Sequence, residues 1–131
     1  MISMSAKYGL LAAGYLAEHT DQPTIMAETI AKECEIPLGY LLKIMQQMVK
    51  FNVLSSKRGP GGGFSLPRPA KEISLLEIIE AAGGPIGHNG DIADLTKRTP
   101  LTENLEKVCK EASEKAVAAF SKAKLSQVIK A

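Results

Sequence analysis

The clearest pattern in the chain lies between Pro37 and Lys50. Leu38, Leu41, Leu42, Met45, Met48 and Val49 recur at i, +3, +4, +7, +10 and +11, which predicts one buried stripe on an amphipathic helix. Pro37 suits the first helical position, where a missing N–H costs nothing. The opposite face shows Gly39, Tyr40, Lys43, Gln46, Gln47 and Lys50. Residues 53–57 then have the branched and polar composition of a short strand. The run Arg58-Gly59-Pro60-Gly61-Gly62-Gly63 excludes regular structure, and Phe64-Ser65-Leu66 resumes alternation until Pro67 stops it. This predicts a β-hairpin with a mobile basic tip.

The flanking segments read as helices. Met4, Tyr8, Leu11, Ala12, Tyr15 and Leu16 fall on one face of a first helix capped by Ser3 or Ser5, and residues 19–23 form a loop. Met26, Ala27, Ile30, Ala31 and Cys34 make the stripe of a short second helix that ends before Pro37. After the stiff link Pro67-Arg68-Pro69-Ala70, Ser74 and Glu77 form a capping box, and Gly83, Gly84 and Pro85 close the helix it starts. Thr99 and Pro100 open a long helix with the apolar stripe Leu101, Leu105, Val108, Ala112, Ala116, Ala119, Phe120 and Ala123. A short amphipathic tail with Leu125, Val128 and Ile129 follows. The expected fold is mainly α with a small β-hairpin wing: a winged helix-turn-helix over 1–83, a loop over 84–99, and a long helix with its tail over 100–131.

Charge gives this outline a purpose. Residues 36–71 contain no Asp or Glu, while Lys43, Lys50, Lys57, Arg58, Arg68 and Lys71 supply six positive charges. The formal net charge of +2 hides this segregation, because residues 1–23 and 72–131 each carry a net charge of −1, leaving +4 for 24–71. An acid-free helix followed by a basic hairpin suits a polyanion. The N-terminal residues of the second helix of a helix-turn-helix enter the major groove. Gly39, Tyr40 and Lys43 are therefore expected to face bases, with Gln47 next and Pro37 at the helix start. The wing residues Lys57, Arg58, Gly59, Gly61 and Gly62 suit phosphates or a minor groove, and Thr24 suits a phosphate at the start of the second helix.

Other chemistry has little support. The glycine run lacks the following Gly-Lys-Ser/Thr of a nucleotide loop and opens no helix. Two distant histidines and no nucleophile motif make no catalytic constellation, so the chain is not expected to be an enzyme. His88, Asp91 and Asp94 share one loop, a common accident of composition that reads as no metal site. Cys34 falls on a buried stripe as a small hydrophobe, and Cys109 lies beside the stripe of the long helix as an inert thiol, with a thiol-based redox sensor as the alternative. At 131 residues and 45% hydrophobic content, one domain with an appended element is expected. No apolar run approaches a membrane span and no signal core is evident, so the expected location is cytoplasmic.

Several segments together resemble the IscR/NsrR/CymR-type family of bacterial transcription regulators. They are Tyr8-Gly9-Leu10-Leu11, Ile36-Pro37-Leu38-Gly39-Tyr40-Leu41-Leu42, Val53-Leu54-Ser55-Ser56-Lys57-Arg58-Gly59-Pro60-Gly61-Gly62-Gly63-Phe64-Ser65-Leu66 and Ile73-Ser74-Leu75. The resemblance covers nearly the whole chain, and its most specific part is the wing. It implies a homodimer that binds a double-stranded DNA operator and usually represses, with Lys7 near the DNA backbone. It also implies that the long helix packs on its twofold mate through Leu101, Leu105, Val108, Ala112, Ala116 and Phe120. Many members hold an iron–sulfur cluster through three cysteines. Aligned on Leu101-Thr102, those positions fall here on His88, Asp94 and Pro100, so the expected cofactor is none. The signal stays open among a small-molecule effector, a protein effector and oxidation at Cys109. A winged helix that binds protein would explain the fold but gives no reason to exclude acids over 36–71.

Overall fold

In the computed structural model, which describes residues 2–87 and 97–129, the first helix lies against the core through its smallest side chains. This helix, α1 (Met4–Glu18), starts at Ser3, whose hydroxyl accepts the Ala6 N–H at 3.1 Å. It buries Ala6, Gly9, Ala12, Ala13, Leu16 and Ala17, while Met4 and Leu11 stand 55% and 50% exposed. Of the expected stripe, Ala12 and Leu16 are buried and Tyr8 and Tyr15 pack on the core's edge, while Met4 and Leu11 turn away from it. The helix is apolar nearly all round, so periodicity alone selects no face. Close approach to a later helix, α4 (Leu75–Gly83), selects the one without bulk. A β-carbon on Gly9 would collide with that of Ala82 and lie 3.3 Å from the Met48 sulfur.

The helix pair that follows has a tight joint. α2 (Ala27–Cys34) ends at Glu35 in the left-handed region, φ 56°, and the Ile36 N–H returns to the Ala31 carbonyl at 2.9 Å. Two residues later α3 (Leu38–Lys50) begins at its flanking residue Pro37, and it buries Leu41, Ile44, Met45 and Met48. Leu38 and Leu42, expected in the core, are exposed instead, and Val49 is half-buried. The true stripe runs i, +3, +4, +7 from Leu41 and admits Ile44, which turns the helix away from the expected face.

The hairpin is short and anchored. Strands β1 (Ser55–Lys57) and β2 (Gly63–Ser65) pair antiparallel, with Ser56 opposite Phe64. Ile25 adds a further rung, since Ile25 and Phe64 exchange N–H···O bonds of 2.9 and 2.8 Å. Gly63 permits this approach. Its φ is 145°, and a β-carbon there would lie 2.7 Å from the Ile25 carbonyl oxygen.

The expected caps form. Ser74 Oγ accepts the Glu77 N–H at 3.1 Å, and the Glu77 carboxylate accepts the Ser74 N–H at 2.9 Å and Arg68 at 2.8 Å. Burial pushes the Glu77 carboxyl up, but the bonds from Ser74 and Arg68 outweigh it and hold the group below its ordinary value. Thr99 and Thr102 cap α5 (Pro100–Lys122) in the same reciprocal way, with Pro100 in its first turn. The tail then turns back: the Leu75 N–H reaches the Ala123 carbonyl at 2.9 Å, and the Leu125 N–H reaches Ile73 at 2.8 Å. Leu125, at the head of α6 (Leu125–Val128), is buried in the same core as α1 and α3. The tail grouped with the long helix by sequence thus closes the core of the N-terminal unit.

Two glycines of α1 should respond in opposite directions to alanine. Removing a helical glycine favours the folded state by up to ~1 kcal/mol, whereas overpacking a tight contact costs ~1–3 kcal/mol. Gly14 has open space around it and Gly9 does not. In thermal unfolding, Gly14→Ala should raise the midpoint and Gly9→Ala should lower it.

Candidate nucleic-acid interface

Between α3 and the hairpin lies an open cleft of about 750 Å³. Leu42, Gln46, Val49 and Lys50 form its helix wall, and Ser56, Lys57, Arg58 and the glycine turn form its wing wall. Among the described residues, the one acid that lines the cleft with Lys50, Lys57 and Arg58 is Glu28, in the first turn of α2. On the outward face of α3, Gly39, Lys43, Gln46 and Lys50 are exposed at i, +4, +7 and +11. No side chain caps the start of α3 at Pro37 and no acid occupies its first turn. Its first amides are left without intrahelical acceptors, at the positive end of the helix dipole.

The glycine turn has a defined shape. The Gly62 N–H donates to the Gly59 carbonyl at 2.8 Å, Gly59 and Gly61 take φ of 84° and 74°, and a β-carbon on Gly62 would collide with the Lys57 carbonyl. Thr24 holds this turn from outside: its hydroxyl donates to the Gly61 carbonyl at 2.7 Å and also lies 3.3 Å from that of Gly62. The tip expected to be mobile is thus hydrogen-bonded to the link before α2. The single hydroxyl proton of Thr24, a residue expected at a phosphate, is directed to the Gly61 carbonyl in the structure.

Other expected contacts are also redistributed. The Tyr40 hydroxyl lies 2.9 Å from Ser5 Oγ, and its ring meets Tyr8 edge to face at 5.4 Å, so Tyr40 braces α3 on α1. The Gln47 amide donates to the Ala81 carbonyl in the last turn of α4 at 2.8 Å, and that bond takes it out of the cleft. Gln46 stands in the cleft where Gln47 was expected. Arg68 is committed to Glu77 and to the Glu72 carbonyl. Lys7 is exposed at the rim of a different hollow, beside Leu10, Leu11, Cys34 and Val128. Leu42, Gln46, Lys50, Ser56 and Glu28 line the cleft with no contact assigned to them from the sequence; Gln46 and Lys50 already fall on the polar face, and seating Ile44 in the buried stripe would have exposed Leu42 as well.

The thiols sit on separate elements. Cys34 is half-buried, and burial first, then Glu33 and Glu18, push its pKa up, so the thiol stays protonated at neutral pH. Cys109 is exposed on α5. Pro100 opens that helix, while His88, Asp91 and Asp94 lie outside the described residues. A histidine, an aspartate and a proline at the three aligned positions, with Cys34 remote and Cys109 a lone thiol nine residues beyond Pro100, do not make the donor set of a cluster held by three cysteines. The residues present do not fit that cofactor.

Comparison with known proteins accords with the geometry. The model of the Rrf2 family, described as iron-dependent transcriptional regulators, matches residues 2–131. An HTH-type transcriptional regulator of Aquifex aeolicus is 39% identical over 83 residues, 63% of this chain and 57% of that protein. The HTH-type regulator IscR of Cereibacter sphaeroides is 30% identical over 82 residues, 61% of this chain and 53% of that protein. The chain thus spans little more than half the length of these relatives. Among solved structures, CymR of B. subtilis superposes with a TM-score of 0.78 at 22% identity, covering 98% of this chain and 95% of that one. The oxidized form of Staphylococcus aureus CymR gives 0.76 at 25% identity, covering 100% and 97%. With its family model matched from residue 2 to the last residue and its winged-helix fold shared with CymR, the chain belongs to the Rrf2 family of transcriptional regulators.

Proposed function

We propose that the protein is a sequence-specific DNA-binding transcriptional regulator, a repressor acting in the cytoplasm as a homodimer on a near-palindromic operator without an iron–sulfur cluster. The observation that carries this reading is the cleft between α3 and the wing, which Lys50, Lys57 and Arg58 line with a single acid, Glu28, among the described residues. A phosphodiester strand suits that cleft, with α3 in the major groove on one side of it and the wing tip at the minor groove on the other. The Rrf2 membership supports the same reading. A thiol signal at Cys34 has less support, since its thiol is held protonated.

The dimer reading rests on α5. Leu101, Leu105 and Val108 are 66%, 44% and 65% exposed on one side of a 23-residue helix that buries only Thr102 among its own residues. Ala112 continues that side, and Ala116 and Phe120 are half-buried nearer the core. Such a stripe is costly in water and is relieved by a twofold copy of itself. A single winged helix also reads too few base pairs to select one genomic site. Two copies would read half-sites about 10 or 21 base pairs apart, centre to centre.

Three measurements check these readings. In gel-shift titrations, Arg58→Ala should weaken binding to all duplexes and flatten the salt dependence by about one unit, whereas Lys43→Ala should also relax preference at one position per half-site by about 1–3 kcal/mol. Unchanged affinity and salt slope in both variants would remove DNA from this face. Sedimentation of Ala112→Glu should show a folded monomer whose operator affinity drops towards the non-specific level; a normal dimer would place the interface elsewhere. Anaerobic treatment with iron and sulfide should leave the protein without stoichiometric iron or a charge-transfer band, and operator binding should be the same before and after.

A further inference from the structure

Leu42 occupies a position that neither packing nor solubility explains. The core contacts of α3 are made by Leu41, Ile44, Met45 and Met48, none more than 6% exposed. Leu42 stands 36% exposed in the wall of the cleft, and Leu38, one turn earlier, is 41% exposed. A lone exposed leucine on a protein surface is ordinary. These two share a face with Gly39, Lys43 and Gln46, the face turned to bases in the reading above. That face is otherwise polar, and leucine can neither donate to nor accept from a base edge.

The major groove presents one apolar group, the 5-methyl of thymine. We propose that Leu42, with Leu38 one turn before it, reads thymine methyl groups in each half-site and so makes the operator depend on thymine at defined positions. The proposal rests on the DNA-binding reading. Gly39 lies between the two leucines, and the space where its side chain would project is empty to 4 Å. The helix backbone can therefore approach the bases closely enough for short side chains to make contact. Gln46, one turn beyond Leu42, carries the amide suited to the N6 and N7 of adenine. The two side chains lie about 6 Å apart along the helix, close to two base steps of 3.4 Å. A thymine and an adenine within about two base pairs are therefore the expected core of the half-site.

The test first selects bound duplexes from a random pool with the wild-type protein. Each thymine of the selected half-site is then replaced singly by deoxyuridine, which removes only the methyl group. One or two replacements should weaken wild-type binding about fourfold, the factor that one buried methyl group is worth. Leu42→Ala should bind the thymine duplex more weakly by a similar factor and show no further loss at the uracil that matters for wild type. Circular dichroism checks that this variant keeps its fold, and the wild-type uracil scan decides without it. A half-site with no thymine, or a scan in which no uracil alters wild-type affinity, overturns the proposal while leaving DNA binding intact. A uracil penalty undiminished in both Leu42→Ala and Leu38→Ala overturns it too. If the pool yields no enriched sequence at all, the DNA-binding reading itself fails.

Discussion

The contact between Gly9 and Ala82 sets the spacing on which the rest of the domain depends. With no side chain at Gly9, α1 and α4 approach until the next atoms met are the β-carbon of Ala82 and the sulfur of Met48. Met48 belongs to α3, so the same contact seats the helix that faces the cleft. Two bonds then hold its rotation: Tyr40 to Ser5 on α1 and Gln47 to Ala81 on α4. Both restrain the flanks of α3 and leave the face from Gly39 to Lys50 open. Side chains that look available for recognition serve instead to aim those that are.

The wing is held by the same economy. Ile25 and Thr24, in the link before α2, pair with Phe64 and with the glycine turn respectively. The distance between the wing and α2 is therefore built into the backbone rather than left to loop dynamics. Arg58 and Lys57 gain from this, because a charge on a defined turn loses less freedom on meeting a phosphate than one on a free loop.

The C-terminal helix has another role. Its own residues bury almost nothing, yet its end returns through Ala123 and Leu125 to the start of α4, tying an exposed apolar stripe to the core of the reading domain. A partner bound along that stripe would be coupled to α4, and through the Gln47 bond to α3. At the three positions that the family resemblance assigns to cysteines, before and at the start of this helix, the chain carries His88, Asp94 and Pro100, none of them a thiolate.

Much of this was legible in the residues. The caps at Ser74 and Thr99, the hairpin around a run of glycines, and the acid-free stretch over 36–71 are local or compositional properties, and each expresses its physics within a few residues. The family motifs added the architecture. Only the tertiary structure decided which face of α1 is buried, because a helix apolar on most sides offers several and close packing with Ala82 chooses among them. It also turned α3 so that Leu42 and Gln46, not Tyr40 and Gln47, stand in the cleft. It gave the Thr24 proton to the wing and the Arg68 charge to Glu77. Sequence determines which groups the chain carries and in what order. Which of them remain free is a matter of partners brought from a distance, nine positions for Arg68 and 34 to 38 for Tyr40, Thr24 and Gln47, and periodicity carries no information at that range.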